Sequence, residues 1–210
     1  MDGSPLMRLG LLGPSQGNSA TLGRAAEFVL NVARVDRAVY LGDDGAMDST
    51  VTTWATRLVG ADPTDNGTFT RAAALALEGD SAQIDRFLVS ERARLRLRAL
   101  ESLPRGEGRT IEMVGDRVAV LIHDKAHLDE EDIASANLLV YGKSDEPIVR
   151  KIGARWFISP GVMGCPHGGV AVIEDTDDAV VAEIFDDRGQ RTRTESLEMT
   201  RKTTTRVQGG

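Results

Sequence analysis

The chain has 210 residues, of which 41% are hydrophobic, and this is enough for one full-sized core, so we predict a single domain. A formal net charge of −7 argues against a general nucleic-acid binder or a protein bound to anionic membranes, because both need clustered positive charge. The lone cysteine, Cys165, excludes an internal disulfide, and the sequence indicates no membrane span and no signal peptide. We therefore expect a cytoplasmic protein.

The N-terminal part of the sequence predicts a β-α-β unit. An apolar run over 6–12 ends in a Gly/Pro/Ser loop at 13–18, and apolar residues then recur at helical spacing as far as Ala33. A second short strand is predicted over 37–41 and ends at Gly42-Asp43. Because the loops after two parallel strands lie at the same edge of a sheet, we expect Asp43 to be close to the first loop.

The middle of the sequence is helical. A helix is predicted over 49–59, and a long helical region over 69–103 is expected to break near 78–81, with Ser81 as the cap of its second part. Arginines flank the apolar stripe of that second part, which fits either a solvated face or a surface for an anionic partner, and we favour the solvated face. These arginines are Arg92, Arg94, Arg96 and Arg98.

The second half of the sequence predicts short strands. A hairpin is indicated by the turn Gly115-Asp116, and further strands follow at 137–141, 148–152, 155–158, 169–174 and 179–185. Beyond Asp186 the sequence is polar, so we predict a flexible tail over 187–210. Helices in the first half and strands in the second indicate two sheets packed face to face, with helices outside.

The order of these motifs resembles that of the calcineurin-like metallophosphoesterase superfamily, especially its small bacterial phosphodiesterase-like branch, over about residues 6–186. The resemblance implies a four-layer α/β/β/α sandwich of two mixed sheets, as one domain over 1–186 with a helical insertion at about 68–104. The positions that match the family's metal-binding motifs are Pro14 and Gln16 in the first loop, Asp43 in Leu-Gly-Asp, Ala61 in the next loop, His123 after the hairpin, and Lys143 and Asp145 after a later strand.

The ligand set implied by the resemblance is incomplete in this chain. Asp43 and His123 keep a metal-binding side chain, and Asp145 replaces a histidine. Pro14, Gln16, Ala61 and Lys143 supply no acidic or imidazole ligand, whereas the family's two-metal site needs several.

The chain therefore resembles a degenerate member of the family that has lost its catalytic centre. Because the retromer subunit of this fold acts through its surface, the resemblance implies a scaffolding or regulatory role with an unidentified protein partner. We also consider a homo-oligomer possible, and we expect no cofactor. We further predict that Lys143 partly neutralises Asp43 and Asp145.

Two other functions stay open. One is a phosphoesterase with a rearranged site, in which Asp43, His123 and Asp145 would hold a single Mn²⁺ or Mg²⁺ and Asp62 and Asp65 are further candidates. The other is an anion or nucleotide sensor that uses Lys143 and the loop's main-chain N–H groups at a helix N-terminus. Those N–H groups belong to Ser15, Gln16, Gly17 and Asn18.

Several single residues carry a structural interpretation beside a functional one. We expect His123 to hydrogen-bond a neighbouring loop, and Asp43 and Asp44 to cap a loop before a helix. His127, four residues after His123, is a weak ligand candidate because the segment follows a strand. Cys165 and His167 have the composition of a thiolate-imidazole pair, but the sequence shows no orienting third group.

Overall fold

The computed structural model describes residues 7–106, 108–176 and 179–198. In this part of the chain the strands form a six-stranded sheet and a five-stranded sheet. The strands are β1 Met7–Leu12, β2 Arg37–Tyr40, β3 Leu100–Ser102, β4 Arg109–Val114, β5 Arg117–Ile122, β6 Leu138–Tyr141, β7 Ile148–Ile152, β8 Arg155–Ser159, β9 Val170–Asp175, β10 Val180–Phe185 and β11 Arg191–Leu197.

Both sheets are mixed. The first has the order β11-β10-β9-β1-β2-β3, with β1, β2 and β3 parallel and β9 antiparallel to β1. The second has the order β4-β5-β6-β8-β7, with β5, β6 and β8 parallel and an antiparallel strand at each edge. Central strands such as β1 and β6 are buried on both faces, which explains their unbroken apolar sequences.

The helices lie outside the sheets. They are α1 Ser19–Glu27, which continues as a π-helical turn over Phe28–Val32, α2 Ala46–Val59, α3 Asp65–Glu78, α4 Ser81–Arg96 and α5 Glu130–Ser135. Short 3₁₀ turns cover Leu97–Ala99 and Lys125–His127. In the described residues one buried cluster lies between the sheets, a second lies under α1 and α2, and a smaller one lies beside α5. The predicted four-layer α/β/β/α sandwich is confirmed.

The predicted helical region over 69–103 is wrong at its C-terminal end. Helix α4 ends at Arg96, and Leu100–Ser102 is a strand that pairs in parallel with β2. A three-residue strand is too short to show a period of two, so its leucine extends the helical pattern by coincidence. The break near 78–81 is present, but Asp80 caps α4 in a capping box with Gln83, in place of the expected Ser81.

The predicted flexible tail over 187–210 is wrong over Arg191–Leu197, which forms β11 antiparallel to β10. The strand is held by main-chain hydrogen bonds at the edge of the sheet, so it needs few apolar side chains. Only its last residue, Leu197, is buried, and that side chain joins the core between the sheets. Residues 199–210 of the predicted tail lie outside the described residues.

Candidate functional site

The candidate site lies where the parallel strands of both sheets end. The loops after β1, β2, β3, β5 and β6 meet there, as expected for parallel strands of open α/β sheets. The two sheets approach each other closely at Gly142, because a Cβ atom at this position would overlap the main-chain oxygen of Leu41. A larger residue at Gly142 would therefore push the two loops apart.

The loop after β1 is a tight turn that leads directly into α1. The Asn18 N–H donates to the Ser15 carbonyl at 2.9 Å, and Gln16 and Gly17 both have positive φ, of 51° and 80°. These features define a type I′ turn. Asn18 then caps α1, since its Oδ1 accepts a hydrogen bond from the Thr21 N–H at 3.0 Å.

Main-chain contacts fix the start of this loop against the segment before β9. The Met163 N–H donates to the Pro14 carbonyl at 3.0 Å, and the Gly13 N–H donates to the Gly169 carbonyl at 2.9 Å. A Cβ atom on Gly13 would overlap the carbonyl oxygen of Gly161. Pro14 thus occupies a packed structural position and offers the site a ring with no donor atom.

Tyr40 ties the first two loops together. Its buried hydroxyl accepts a hydrogen bond from the Ser15 N–H at 3.0 Å and donates to the Asp44 carboxylate at 3.3 Å. The Ser15 hydroxyl lies 3.1 Å from the same oxygen. Burial raises the pKa of Tyr40 above its ordinary value.

Two of the four main-chain N–H groups proposed to bind an anion over 15–18 already donate to acceptors within the protein. The Ser15 N–H is taken by Tyr40, and the Asn18 N–H closes the turn. Only the main-chain groups of Gln16 and Gly17 remain available to an anion, and two such groups make a poorer cradle than four.

His123 connects the second sheet to the first. Its Nδ1 donates to the carbonyl oxygen of Leu41 at 2.8 Å, because a carbonyl oxygen can only accept. Its Nε2 lies 3.7 Å from Asp43 Oδ2. The interpretation of His123 as a residue that hydrogen-bonds a neighbouring loop is confirmed, and the same bond directs the other ring nitrogen toward Asp43.

Lys143 does not neutralise Asp43 and Asp145 as predicted. Its ammonium donates to Asp124 Oδ2 at 2.5 Å, its side chain is 66% exposed, and Asp145 is exposed and forms no ion pair with it in the described part of the chain. The hydrogen bond from Lys143 holds the pKa of Asp124 below its usual range, and the N–H of Ala126 adds to this effect. Asp43 acts on Lys143 only through weaker long-range attraction.

Asp124 was missed in the sequence because it matches no ligand position of the family. A signal was available, since Asp124 directly follows the candidate His123 and begins a short turn. Its Oδ1 accepts from the Ala126 N–H at 3.0 Å, which is the usual role of an aspartate in that position.

The placement of Ala61 at the site is wrong. Ala61 follows α2, which has 14 residues and therefore carries the chain about 21 Å away from Asp43 and the sheet edge. The loop that does reach this edge follows β3. It contains Arg105, whose guanidinium lies 3.0 Å from the position that a Cβ atom on Gly45 would occupy.

The residues at this edge do not fit the two-metal centre of the family. In residues 7–106, 108–176 and 179–198, no three histidine, cysteine or acidic side chains lie close enough together to hold a metal ion. Asp43 and His123 supply two donors, whereas divalent cations in phosphoesterase sites need several for each ion. The Lys143 ammonium and the Arg105 guanidinium add positive charge nearby.

The remaining candidates lie elsewhere or have structural partners. Asp65 pairs with Arg94 and Arg98, and Asp62 accepts hydrogen bonds from Thr64. Asp44 caps the N–H of Ala46 before α2, as expected. Cys165 is half-buried and His167 is exposed, and in the described residues neither side chain forms a hydrogen bond with the other.

Two of the arginines flanking the apolar stripe of α4 make structural contacts. Arg94 is buried against Glu91, and Arg96 donates to the carbonyl oxygens of Leu30 and Val35. Arg92, Arg96 and Arg98 are exposed, which agrees with the favoured solvated face, and Arg94 is the buried one of the four. In the described part of the chain, no helix is long and apolar enough to cross a membrane.

Solved structures provide the comparisons for this chain. No protein-family model matches it, and no curated protein matches it. A conserved uncharacterized protein from Streptococcus pneumoniae, described as a predicted phosphoesterase, is 15% identical with a TM-score of 0.51, and the match covers 90% of this chain and 97% of that chain. YfcE, a phosphoesterase from E. coli, is 13% identical with a TM-score of 0.51, and the match covers 91% of this chain and 100% of that chain.

Vacuolar protein sorting 29 from Cryptosporidium parvum is 10% identical with a TM-score of 0.49, covering 94% of this chain and 98% of that chain. At these identities the likeness shows the fold alone, and the chemistry has to be argued from the residues at the sheet edge.

Proposed function

We propose that this chain, which has the calcineurin-like metallophosphoesterase fold, is a catalytically inactive form of that fold that acts as a protein-interaction module. The observation that carries this proposal is the side-chain set at the sheet edge. Asp43 and His123 face each other at 3.7 Å, and the neighbouring loops contribute Pro14, Lys143 and Arg105 where further ligands would be needed.

The electrostatics of the edge support the same proposal. A two-metal phosphoesterase collects several carboxylates around its cations. Here two further carboxylates at the edge already have partners, since Asp124 pairs with the Lys143 ammonium and Asp44 accepts hydrogen bonds from Tyr40 and Ala46. A divalent cation at Asp124 would have to displace this ammonium, and in the described residues no three acidic, histidine or cysteine side chains are grouped closely enough to hold it.

An interaction role is supported by apolar side chains outside the core. Ile111 and Met113 project from β4 and are 61% and 50% exposed, and Ile133 of α5 is also exposed. Ile111 and Met113 are two residues apart, so they lie on the same face of the strand. Exposed apolar clusters of this kind are typical of protein contact surfaces.

An activity assay tests the loss of chemistry. The purified chain is incubated with bis(p-nitrophenyl) phosphate and with p-nitrophenyl phosphate in the presence of Mn²⁺ or Mg²⁺, beside an Asp43→Asn variant. We expect equal background rates for both proteins. Turnover above background that disappears in Asp43→Asn would contradict the proposal.

The interaction role needs a separate test. We expect crosslinking in the native host to capture a protein partner that is lost when Ile111 and Met113 are both replaced by serine. A matched control replaces Ile152, which is exposed at the end of β7. Equal capture by both variants would show that the β4 surface is not the contact.

A phosphoesterase with one metal is the second candidate, because the geometry of His123 favours it. The bond from Nδ1 to Leu41 places a lone pair on Nε2 toward Asp43, which is the arrangement of a histidine that binds metal. Only one acid accompanies it, so this candidate predicts weak metal binding. The assay with Asp43→Asn distinguishes the two functions.

A further inference from the structure

The helical hairpin formed by α3 and α4 is inserted between α2 and β3 and leaves much apolar surface exposed. Phe69 and Leu77 on α3 are 74% and 85% exposed, and Ile84, Leu88 and Leu95 on α4 are each more than 40% exposed. In α3 only Gly67 is buried. Exposed large apolar side chains at helical spacing on two adjacent helices are unusual for the surface of a monomer.

The polar contacts of the hairpin fix which sides of the two helices face each other. Glu91 of α4 accepts hydrogen bonds from Thr68 and Arg71 of α3, and Arg94 pairs with Asp65. With 3.6 residues in each turn, Phe69, Ala73 and Leu77 then form a stripe along one side of α3.

The corresponding stripe on α4 contains Ile84, Leu88 and Leu95 and lies beside Glu91. Ala93, on the opposite side of α4, lines a pocket together with Trp54 of α2. Because α3 and α4 run in opposite directions, the two stripes lie on the same side of the hairpin. Together they form one continuous apolar face, which we call the hairpin face.

We propose that the hairpin face binds the hairpin face of a second copy of this chain, so that α3 and α4 of both copies form an antiparallel four-helix bundle. A two-fold axis across the helices places α3 against α3 and α4 against α4 of the partner. Centred near Ala73, this arrangement sets Phe69 of one copy against Leu77 of the other, with the small alanine allowing a close approach.

The charges on α4 fit this orientation. Asp85 lies in the N-terminal half of the helix and Arg92 in its C-terminal half, and both side chains are exposed. An antiparallel pair of α4 helices therefore brings Asp85 of each copy close to Arg92 of the other. A parallel pair would place like charges opposite each other.

The size of the hairpin face fits a reversible dimer. Helix α4 has 16 residues and is therefore about 24 Å long, and two helices of about 10 Å diameter give a face on the order of 500 Å². Two such faces bury about 1,000 Å² in total, which is at the lower bound for a specific interface. We therefore expect a monomer–dimer equilibrium that shifts with protein concentration over the range that sedimentation experiments can reach.

Sedimentation velocity over a wide concentration range tests this proposal. We expect the apparent mass to rise from that of one chain to that of two. Leu77→Asp should keep the chain monomeric throughout, and the matched control Ile152→Asp should associate normally, with circular dichroism confirming that both variants are folded. A monomer at every concentration, or equal dimerisation of both variants, would overturn the proposal.

A charge reversal tests the orientation within the dimer. Asp85 and Arg92 are exposed and form no ion pair in the described residues. Asp85→Arg alone and Arg92→Asp alone should each weaken the dimer, and the double variant should restore it, because each copy then supplies the reversed partner. Additive weakening in the double variant would overturn the antiparallel arrangement.

Discussion

His123 donates its Nδ1 proton to the main-chain oxygen of Leu41 at 2.8 Å and so joins the second sheet to the first. The bond holds the loop after β5 against the loop after β2 and leaves the other ring nitrogen directed toward Asp43. It gives His123 a structural role that does not depend on any ligand, and this role can be measured directly.

His123→Ala should lower the free energy of unfolding by about 1 kcal/mol, because it removes one partly buried hydrogen bond between the sheets. Urea denaturation measures the change. The control is His167→Ala, since the His167 side chain is exposed and its main-chain contact to Thr192 is retained. An unchanged midpoint in His123→Ala would show that the bond contributes no stability.

Tyr40→Phe should be more destabilising and should lower the free energy of unfolding by about 2 kcal/mol. The substitution leaves the buried Ser15 N–H without its acceptor and removes the donor to Asp44. Chemical denaturation again supplies the measurement. Tyr141→Phe is the matched control, because burial alone raises the pKa of Tyr141, whose hydroxyl forms no hydrogen bond in the described residues, and we expect little change there.

The ion pair of Lys143 and Asp124 should make part of the folding stability depend on pH. Since the pKa of Asp124 is lowered in the folded state, its contribution is present above the usual carboxyl pKa and is lost as the pH falls through the folded value. Lys143→Met should therefore be less stable than the natural chain near neutral pH, and the difference should shrink in acid.

Urea denaturation of both proteins across the acidic range measures this difference. Lys151→Met is the control, because the Lys151 ammonium donates to the main-chain oxygen of Glu198 and not to a carboxylate that titrates. A difference between Lys143→Met and the natural chain that stays constant with pH would argue against the ion pair.

Glu91 should be critical for the hairpin of α3 and α4. Burial raises the pKa of Glu91, but hydrogen bonds from Arg71, Arg94 and Thr68 outweigh this effect and hold it below its usual value. Glu91→Gln removes the negative charge that pairs with both arginines, so we expect the free energy of unfolding to fall by about 3 kcal/mol. Thermal unfolding measures it, and the exposed Glu78→Gln should leave the melting temperature unchanged.

The sequence was most informative where the pattern is local. The buried strand β1, the loop at 13–18 and the strand before Asp43 follow from apolar runs broken by glycine, and parallel strands place the two loops side by side. Strands β3 and β11 were missed because each is held mainly by hydrogen bonds to its neighbouring strand. Such pairing leaves little trace in a single sequence.

At the site, the position of a residue was predictable when it directly followed a central strand. Asp43, His123 and Lys143 all reach the edge for this reason. Ala61 did not, because the prediction lacked β3, and Arg105 consequently went unnoticed. Lys143 pairs with Asp124 because the loops after β5 and β6 lie side by side in the folded chain. The spacing of residues in the sequence does not reveal this pairing.

Binding of Mn²⁺ measured by isothermal titration calorimetry tests the central claim most directly. We predict no saturable heat for the natural chain and no difference between it and Asp43→Ala, because Asp43 and His123 alone supply too few donors. Stoichiometric Mn²⁺ binding that is abolished by Asp43→Ala would contradict the claim that this sheet edge has lost its metal centre.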